Sequence, residues 1–295
     1  MNDKVFLHYS QAELDRNFDQ RGWIGIGNAE AAIARYVARS EAARRGLKPR
    51  RDIPYGTDPD EVLDIFTTDT AGAPTLIFIH GGAWRNFTKD DYSFVAEALV
   101  PGGIHVVVIN FSKLPNKRLP DVIMQARSAV AWVWRHAREF GGDADRLYLC
   151  GHSSGAHMAA MVLLTDWSAF GLPQDTIKGA TLISGSYDLR PILLSARGSY
   201  VKLSAAEEND LSPIRHAGRV PCPVLLPHAE HDTGEFQRHT REFTAALEKE
   251  GRPPDLLRLP GTNHFEIIEQ LAQSESSLYR AVLAHVEETT GASAR

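Results

Sequence analysis

Residues 146–164 leave this chain few folds to choose from. Arg146-Leu147-Tyr148-Leu149-Cys150 is a short apolar run of the kind that forms a buried strand, and residues 156–164 form an apolar helical run. Between them stands Gly151-His152-Ser153-Ser154-Gly155. A strand that gives way to a helix this quickly must turn sharply, and glycines remove the side chains such a turn would crowd. The turn lifts the Ser153 hydroxyl off the strand end and sets it at a helix N-terminus, where developing negative charge is favoured. G-x-S-x-G occurs by chance in many loops; the strand before it and the helix after it give it chemical meaning. Ser153 is the candidate nucleophile. Ser154 is expected to act through its backbone N–H, with a structural side chain.

Similar runs recur on both sides. Residues 62–66, 75–79, 104–109, 180–183, 224–226 and 256–259 read as strands, and 122–140 and 235–250 as helices. A further helical region starts near residue 265. Continuous apolar strands alternating with helices imply an α/β class: a mostly parallel central sheet with helices on both faces, in one domain over 1–295. Residues 1–60 are polar, with helical patches such as 29–45, and Pro49, Pro54, Gly56 and Pro59 then break any helix. Residues 186–221 interrupt the alternation for longer than an ordinary connection. They are expected to form a small helical cap insertion, with a plain surface excursion as the alternative.

Charge and composition exclude several function classes. With 37 acidic and 32 basic residues the net charge is −5, the opposite of the basic patch that nucleic acid requires. No run approaches the roughly 18 apolar residues of a membrane span. Cys150 and Cys222 are too few for a disulfide framework, and no leader-like apolar stretch follows Met1. The expectation is a cytoplasmic protein that takes a small-molecule substrate and binds neither nucleic acid nor membrane. A homodimer is compatible with all of this. At this length a core can hold without metal or disulfide, and the chemistry requires no cofactor.

The remaining site residues follow from position. His80-Gly81-Gly82-Ala83-Trp84 comes directly after the strand ending at Ile79. Glycines there let backbone N–H groups approach a tetrahedral oxyanion, so Gly82, Ala83 and Ser154 are the candidate donors. His80 is expected to brace the loop. The base should follow the last strand, which selects His264 in Gly261-Thr262-Asn263-His264-Phe265. The acid should follow the strand before, which favours Asp232; Glu230, Glu235 and Asp188 are rivals. Such an acid holds the imidazole tautomer and stabilises the imidazolium. His228 and His231 lack a third ligand at suitable spacing, so a metal site is not expected. Trp84 and Tyr187 are candidate substrate contacts, with Phe111 and Trp167 as further aromatics; core packing is the alternative for each.

These motifs together resemble the α/β-hydrolases, and among them the kynurenine formamidases (arylformamidases) and the esterases related to hormone-sensitive lipase. The resemblance covers most of the chain. It rests on residues 80–84, on Gly151-His152-Ser153-Ser154-Gly155-Ala156-His157, and on Ser184-Gly185-Ser186-Tyr187-Asp188-Leu189-Arg190-Pro191. It extends to Glu230-His231-Asp232-Thr233-Gly234-Glu235-Phe236, Asn263-His264-Phe265 and Tyr9-Ser10-Gln11-Ala12-Glu13-Leu14-Asp15. Relatives often carry Ala where this chain has Ser154, and some carry an aromatic in place of Ala83. The resemblance implies an α/β-hydrolase fold, a Ser153–Asp232–His264 triad and an N-acyl aryl amine such as N-formylkynurenine as substrate. A short-chain carboxylesterase is the alternative, and a catalytically silent binding protein is the alternative of another class.

Overall fold

Strand alternation divides the core in two. The computed structural model describes residues 3–293. Its eight strands are β1 (Arg50–Pro54), β2 (Val62–Phe66), β3 (Ala73–Ile79), β4 (His105–Ile109), β5 (Gly142–His152), β6 (Ile177–Ile183), β7 (Val224–Ala229) and β8 (Asp255–Leu259). They form one sheet in the order β1-β2-β4-β3-β5-β6-β7-β8. Pairing is antiparallel for β1 with β2 and for β2 with β4, and parallel from β4 to β8. Ile77, Ile79, Val107, Ile109, Leu147 and Leu149 point to one face. Leu76, Phe78, Val106, Val108, Tyr148 and Cys150 point to the other. Each face needs a helical layer, because each buried aliphatic side chain contributes about 1.5–3 kcal/mol only when water is kept from it.

Helices Leu119–His136, Ser154–Leu163 and Gly234–Lys249 cover the first face; Ile26–Leu47 and Ser277–Ser293 cover the second. Fold and class are those read from the sequence: an α/β-hydrolase fold. Among the described residues no helix is long and apolar enough to cross a membrane.

Register fixes where a site can form. Ile79 pairs with Gly151, His152 pairs with Ile183, and Ala229 pairs with Leu259. The segments that follow β3, β5, β6, β7 and β8 therefore leave the sheet along one edge. The C-terminal edge of a parallel sheet is where open α/β folds bind ligands.

One region differs in detail from the sequence reading. Arg50–Pro54, read only as helix-breaking, forms edge strand β1. Most of it is exposed, so it carries no apolar alternation to announce it. Residues 186–221 contain helices Arg190–Leu194 and Ala205–Asp210 and the 3-10 segments Ala196–Ser199 and Pro213–Arg219. This stretch is anchored, since Ile192, Val201, Leu211, Ala217 and Val220 join the first core.

Candidate active site

The turn after β5 is held open by clearance. A Cβ on Gly151 would lie 2.3 Å from the Gly155 oxygen, and one on Gly155 would lie 2.1 Å from the Ile79 oxygen. Both contacts are to backbone, which cannot step aside. Ser153 between them has φ 57° and ψ −119°, a strained conformation of the kind found at functional sites. Its N–H donates to the Ile183 carbonyl at 2.8 Å, which ties the turn to β6.

Three buried side chains meet there. His264 Nδ1 is 2.7 Å from Asp232 Oδ1, and His264 Nε2 is 2.9 Å from Ser153 Oγ. A carboxylate only accepts, so Nδ1 carries the proton, and Nε2 is left to accept from the serine hydroxyl. The other Asp232 oxygen accepts from Ser184 Oγ at 2.6 Å and from the Ala229 N–H at 3.0 Å. Burial alone would raise the Asp232 carboxyl. The electrostatic attraction of the His264 ring and the donated hydrogen bonds outweigh it and hold Asp232 below the ordinary carboxylate value. Phe236 packs edge-on against the His264 ring, with centroids 4.6 Å apart.

The rival acids are engaged elsewhere. Glu230 accepts from Arg258 and from the Gly261 N–H. Glu235 pairs with Arg238, and Asp188 faces Arg215 and Arg238. Among the described residues no group of three His, Cys, Asp or Glu side chains converges as a metal site would require.

The loop after β3 takes left-handed conformations at Gly82 (φ 116°), Ala83 (φ 53°) and Trp84 (φ 57°). Among the described residues, the N–H groups of Gly82, Ala83 and Ser154 have no protein acceptor. Such unspent donors beside a nucleophile can receive an oxyanion. The Ser154 side chain accepts from the Trp84 N–H at 3.2 Å and so links this loop to the turn. His80 stacks on Phe111 with centroids 4.3 Å apart, and burial pushes it down to about 4, so it is neutral.

Trp84 and Tyr187 require a correction. Neither lies on the cavity wall. The left-handed turn carries the Trp84 side chain into the core, where it meets His157 edge-on at 5.2 Å and is 1% exposed. Tyr187 stacks on Phe243 at 4.3 Å, and its hydroxyl donates to the Leu182 carbonyl at 3.2 Å. Phe111 and Trp167 are buried as well.

A cavity of about 740 Å³ opens over Ser153, a size suited to a small ligand. Gly82, Ala83, Ser153 and His264 line it, as do several residues that sequence reasoning did not single out. Phe18, Asp19, Gln20 and Arg21 come from the N-terminal segment, and Arg197 and Tyr200 from the segment between β6 and β7. The N-terminal wall is pinned in place: Thr233 Oγ donates to the Asn17 carbonyl at 2.7 Å, and Asn17 Oδ1 accepts from the Glu235 N–H at 3.1 Å. No periodicity marks these wall residues; the only sequence hint is the glycine punctuation at Gly22, Gly25 and Gly27. His152 was also passed over. Its Nε2 bonds the His264 carbonyl at 2.9 Å, and burial first, then the neighbouring His264, push it down to about 3. It fixes the backbone that carries His264.

Known proteins agree with this architecture. The model of the prolyl oligopeptidase family matches residues 126–293, and that of the family described as BD-FAE matches residues 63–175. The chain is 34% identical over 284 residues to a kynurenine formamidase of Salmo salar, covering 92% of this chain and 95% of that protein. A solved structure from Silicibacter superposes with TM-score 0.80 at 26% identity, covering 91% of this chain and 98% of the other. Esterase B from Lactobacillus rhamnosis superposes with TM-score 0.70 at 16% identity, covering 93% and 98%; at that identity the likeness is one of fold.

Proposed function

We propose that this chain, which belongs to the kynurenine formamidase family of α/β-hydrolases and matches the prolyl oligopeptidase family model, removes a formyl or other small acyl group from an aryl amine. The observation that carries this reading is the continuous hydrogen-bond chain from Ser153 through His264 to Asp232 at the floor of the cavity. The high coverage of a formamidase relative supports the choice of substrate class.

The steps follow from the geometry. His264 Nε2 takes the Ser153 proton as Oγ bonds to the substrate carbonyl carbon. The N–H groups of Gly82, Ala83 and Ser154 receive the oxyanion; one such donor is worth about 3 kcal/mol in the transition state. The C–N bond then breaks, and the imidazolium gives its proton to the leaving amine. Water, deprotonated by His264, attacks the acyl-serine, and the acid and free Ser153 are released. Asp232 holds the imidazole tautomer throughout. The 186–221 segment acts as a cap through its contribution of Arg197 and Tyr200 to the wall.

An esterase would use the same machinery, and 29% identity over 245 residues to esterase LipC of Mycobacterium tuberculosis favours it as the second reading. The two separate on substrates. N-formylkynurenine is expected to give a higher kcat/KM than phenyl acetate, and a large advantage for the ester refutes the formamidase assignment. Ser153→Ala is expected to stay folded while losing turnover and labelling by a serine-directed phosphonate. Turnover retained in that variant removes Ser153 from the mechanism.

A further inference from the structure

One buried serine beside the site is neither a helix cap nor the nucleophile. Ser184 is the first residue after β6 and is 0% exposed. Its hydroxyl donates to Asp232 Oδ2 at 2.6 Å, 48 residues along the chain. An ionised carboxylate only accepts, so the proton lies on the serine. Other buried serines serve nearby backbone. Ser212 Oγ donates to the Glu208 carbonyl and accepts from the Leu189 N–H, and Ser195 Oγ donates to the Ile192 carbonyl.

The backbone at the end of β6 touches both ends of the triad. The Ile183 carbonyl accepts from the Ser153 N–H at 2.8 Å, and the Ser184 N–H donates to the Pro227 carbonyl on β7 at 2.9 Å. Ser184 therefore stands between the nucleophile turn and the loop that carries Asp232. Its φ is 46°, in the left-handed region that a side chain makes costly. Glycine would take that conformation without this penalty. What a serine adds there is a hydroxyl within 2.6 Å of the acid.

Without that hydroxyl, Asp232 Oδ2 would keep only the Ala229 N–H at 3.0 Å among the described residues, and Asp232 itself is 2% exposed. A buried carboxylate short of donors turns toward another partner or takes up a proton. Either change loosens Oδ1 from His264 Nδ1. Burial alone would raise the Asp232 carboxyl; the His264 ring, its hydrogen bond and then the Ser184 hydroxyl hold it down. We infer that Ser184 is a positioning residue for hydrolysis at Ser153: its hydrogen bond to Oδ2 fixes the plane of the Asp232 carboxylate, and thereby the tautomer and orientation of His264. The inference rests on the proposed triad and is independent of the choice between formamide and ester.

Ser184→Gly removes the hydroxyl and eases the left-handed backbone, so the fold should hold. The substrate is phenyl acetate or N-formylkynurenine, whichever the wild type turns over faster. In the variant kcat is expected to fall about 10- to 100-fold with KM within about threefold, as for loss of a hydrogen bond to a charged group. A kcat within about twofold of wild type overturns the inference. Repeating the substitution in Asp232→Asn separates positioning from a merely structural role. Because Ser184 acts through the carboxylate, its loss should cost less than about threefold there. The same loss in both backgrounds means that Ser184 acts independently of Asp232, and overturns the inference. Should Ser184→Gly not fold, Ser184→Cys decides, since it keeps a side chain of similar shape and exchanges a strong donor for a weak one. There kcat must fall at least about fivefold, and a wild-type kcat overturns the inference. Failure of the triad itself reads differently: Ser153→Ala would then retain turnover, whatever the result at Ser184.

Discussion

Asp232 uses both of its oxygens, and that makes its substitution informative. Oδ2 accepts from Ser184 and Ala229, and Oδ1 accepts from His264. In Asp232→Asn the amide oxygen satisfies Ser184 and Ala229, so the NH2 group turns toward His264 Nδ1. That ring nitrogen must then accept, the proton moves to Nε2, and Nε2 can no longer accept from Ser153 Oγ. Turnover is expected to drop about 10³- to 10⁴-fold with the fold intact. Steady-state kinetics beside a thermal melt checks this; an Asn variant within tenfold of wild type removes Asp232 from the role. Ser153, Asp232 and His264 were legible because each follows a strand end, and strand ends can be read from apolar runs. Trp84 and Arg197 were not. Whether a loop side chain faces the cavity or the core depends on backbone dihedrals, as the left-handed Trp84 shows, and sequence adjacency does not encode them.

The strand–turn–helix element depends on how closely its helix approaches the neighbouring strand. Gly155 sits where an added methyl would lie 2.1 Å from the Ile79 oxygen and 2.5 Å from the His80 oxygen. Gly155→Ala must therefore push helix Ser154–Leu163 away from β3 or distort the loop that begins at His80. A loss of about 3 kcal/mol is expected, read from the urea midpoint, together with a fall in kcat. Gly46→Ala is the control, since nothing lies within 4 Å of its added methyl. There, near the end of helix Ile26–Leu47, a gain of about 0.5 kcal/mol is expected from helix propensity and a less flexible unfolded chain. Equal effects at the two glycines would contradict the close-packing account. The central strands were readable for the same reason that they are buried: β3 and β4 are apolar throughout. Edge strand β1 was not, because its side chains face water and pairing there comes from backbone alone.

Over the whole molecule, both faces of the sheet are sealed, and this reaches the titratable groups as well as the aliphatic ones. His80, His152 and His157 are fully buried, and burial is the largest cause that pushes them to about 4, 3 and 4 from an ordinary 6.5. Their positions relative to the sheet were not readable from a chain with twelve histidines, since burial is a property of the assembled layers. The consequence has a definite sign. Between pH 6.5 and each folded value the unfolded chain binds the proton and the folded chain does not, so stability rises with pH across that window. It is fully present above about 6.5 and is lost as pH falls toward 4 and 3, by up to roughly 3 kcal/mol for His80 and His157 and roughly 5 kcal/mol for His152. Asp232 acts in the same direction at lower pH: its carboxyl lies below 3.8 when folded, so its contribution is present above that value and lost as pH falls through the folded one. The urea midpoint is therefore expected to hold above neutrality and to fall steeply from pH 6.5 to 4. His157 offers the clean test, because its Nε2–H donates to the Leu211 carbonyl at 2.8 Å and a glutamine amide can donate there without titrating. His157→Gln should be less stable than wild type near pH 7 yet show the shallower decline toward pH 4. Parallel pH profiles for the two proteins would mean that His157 takes no part in the acid sensitivity of the fold.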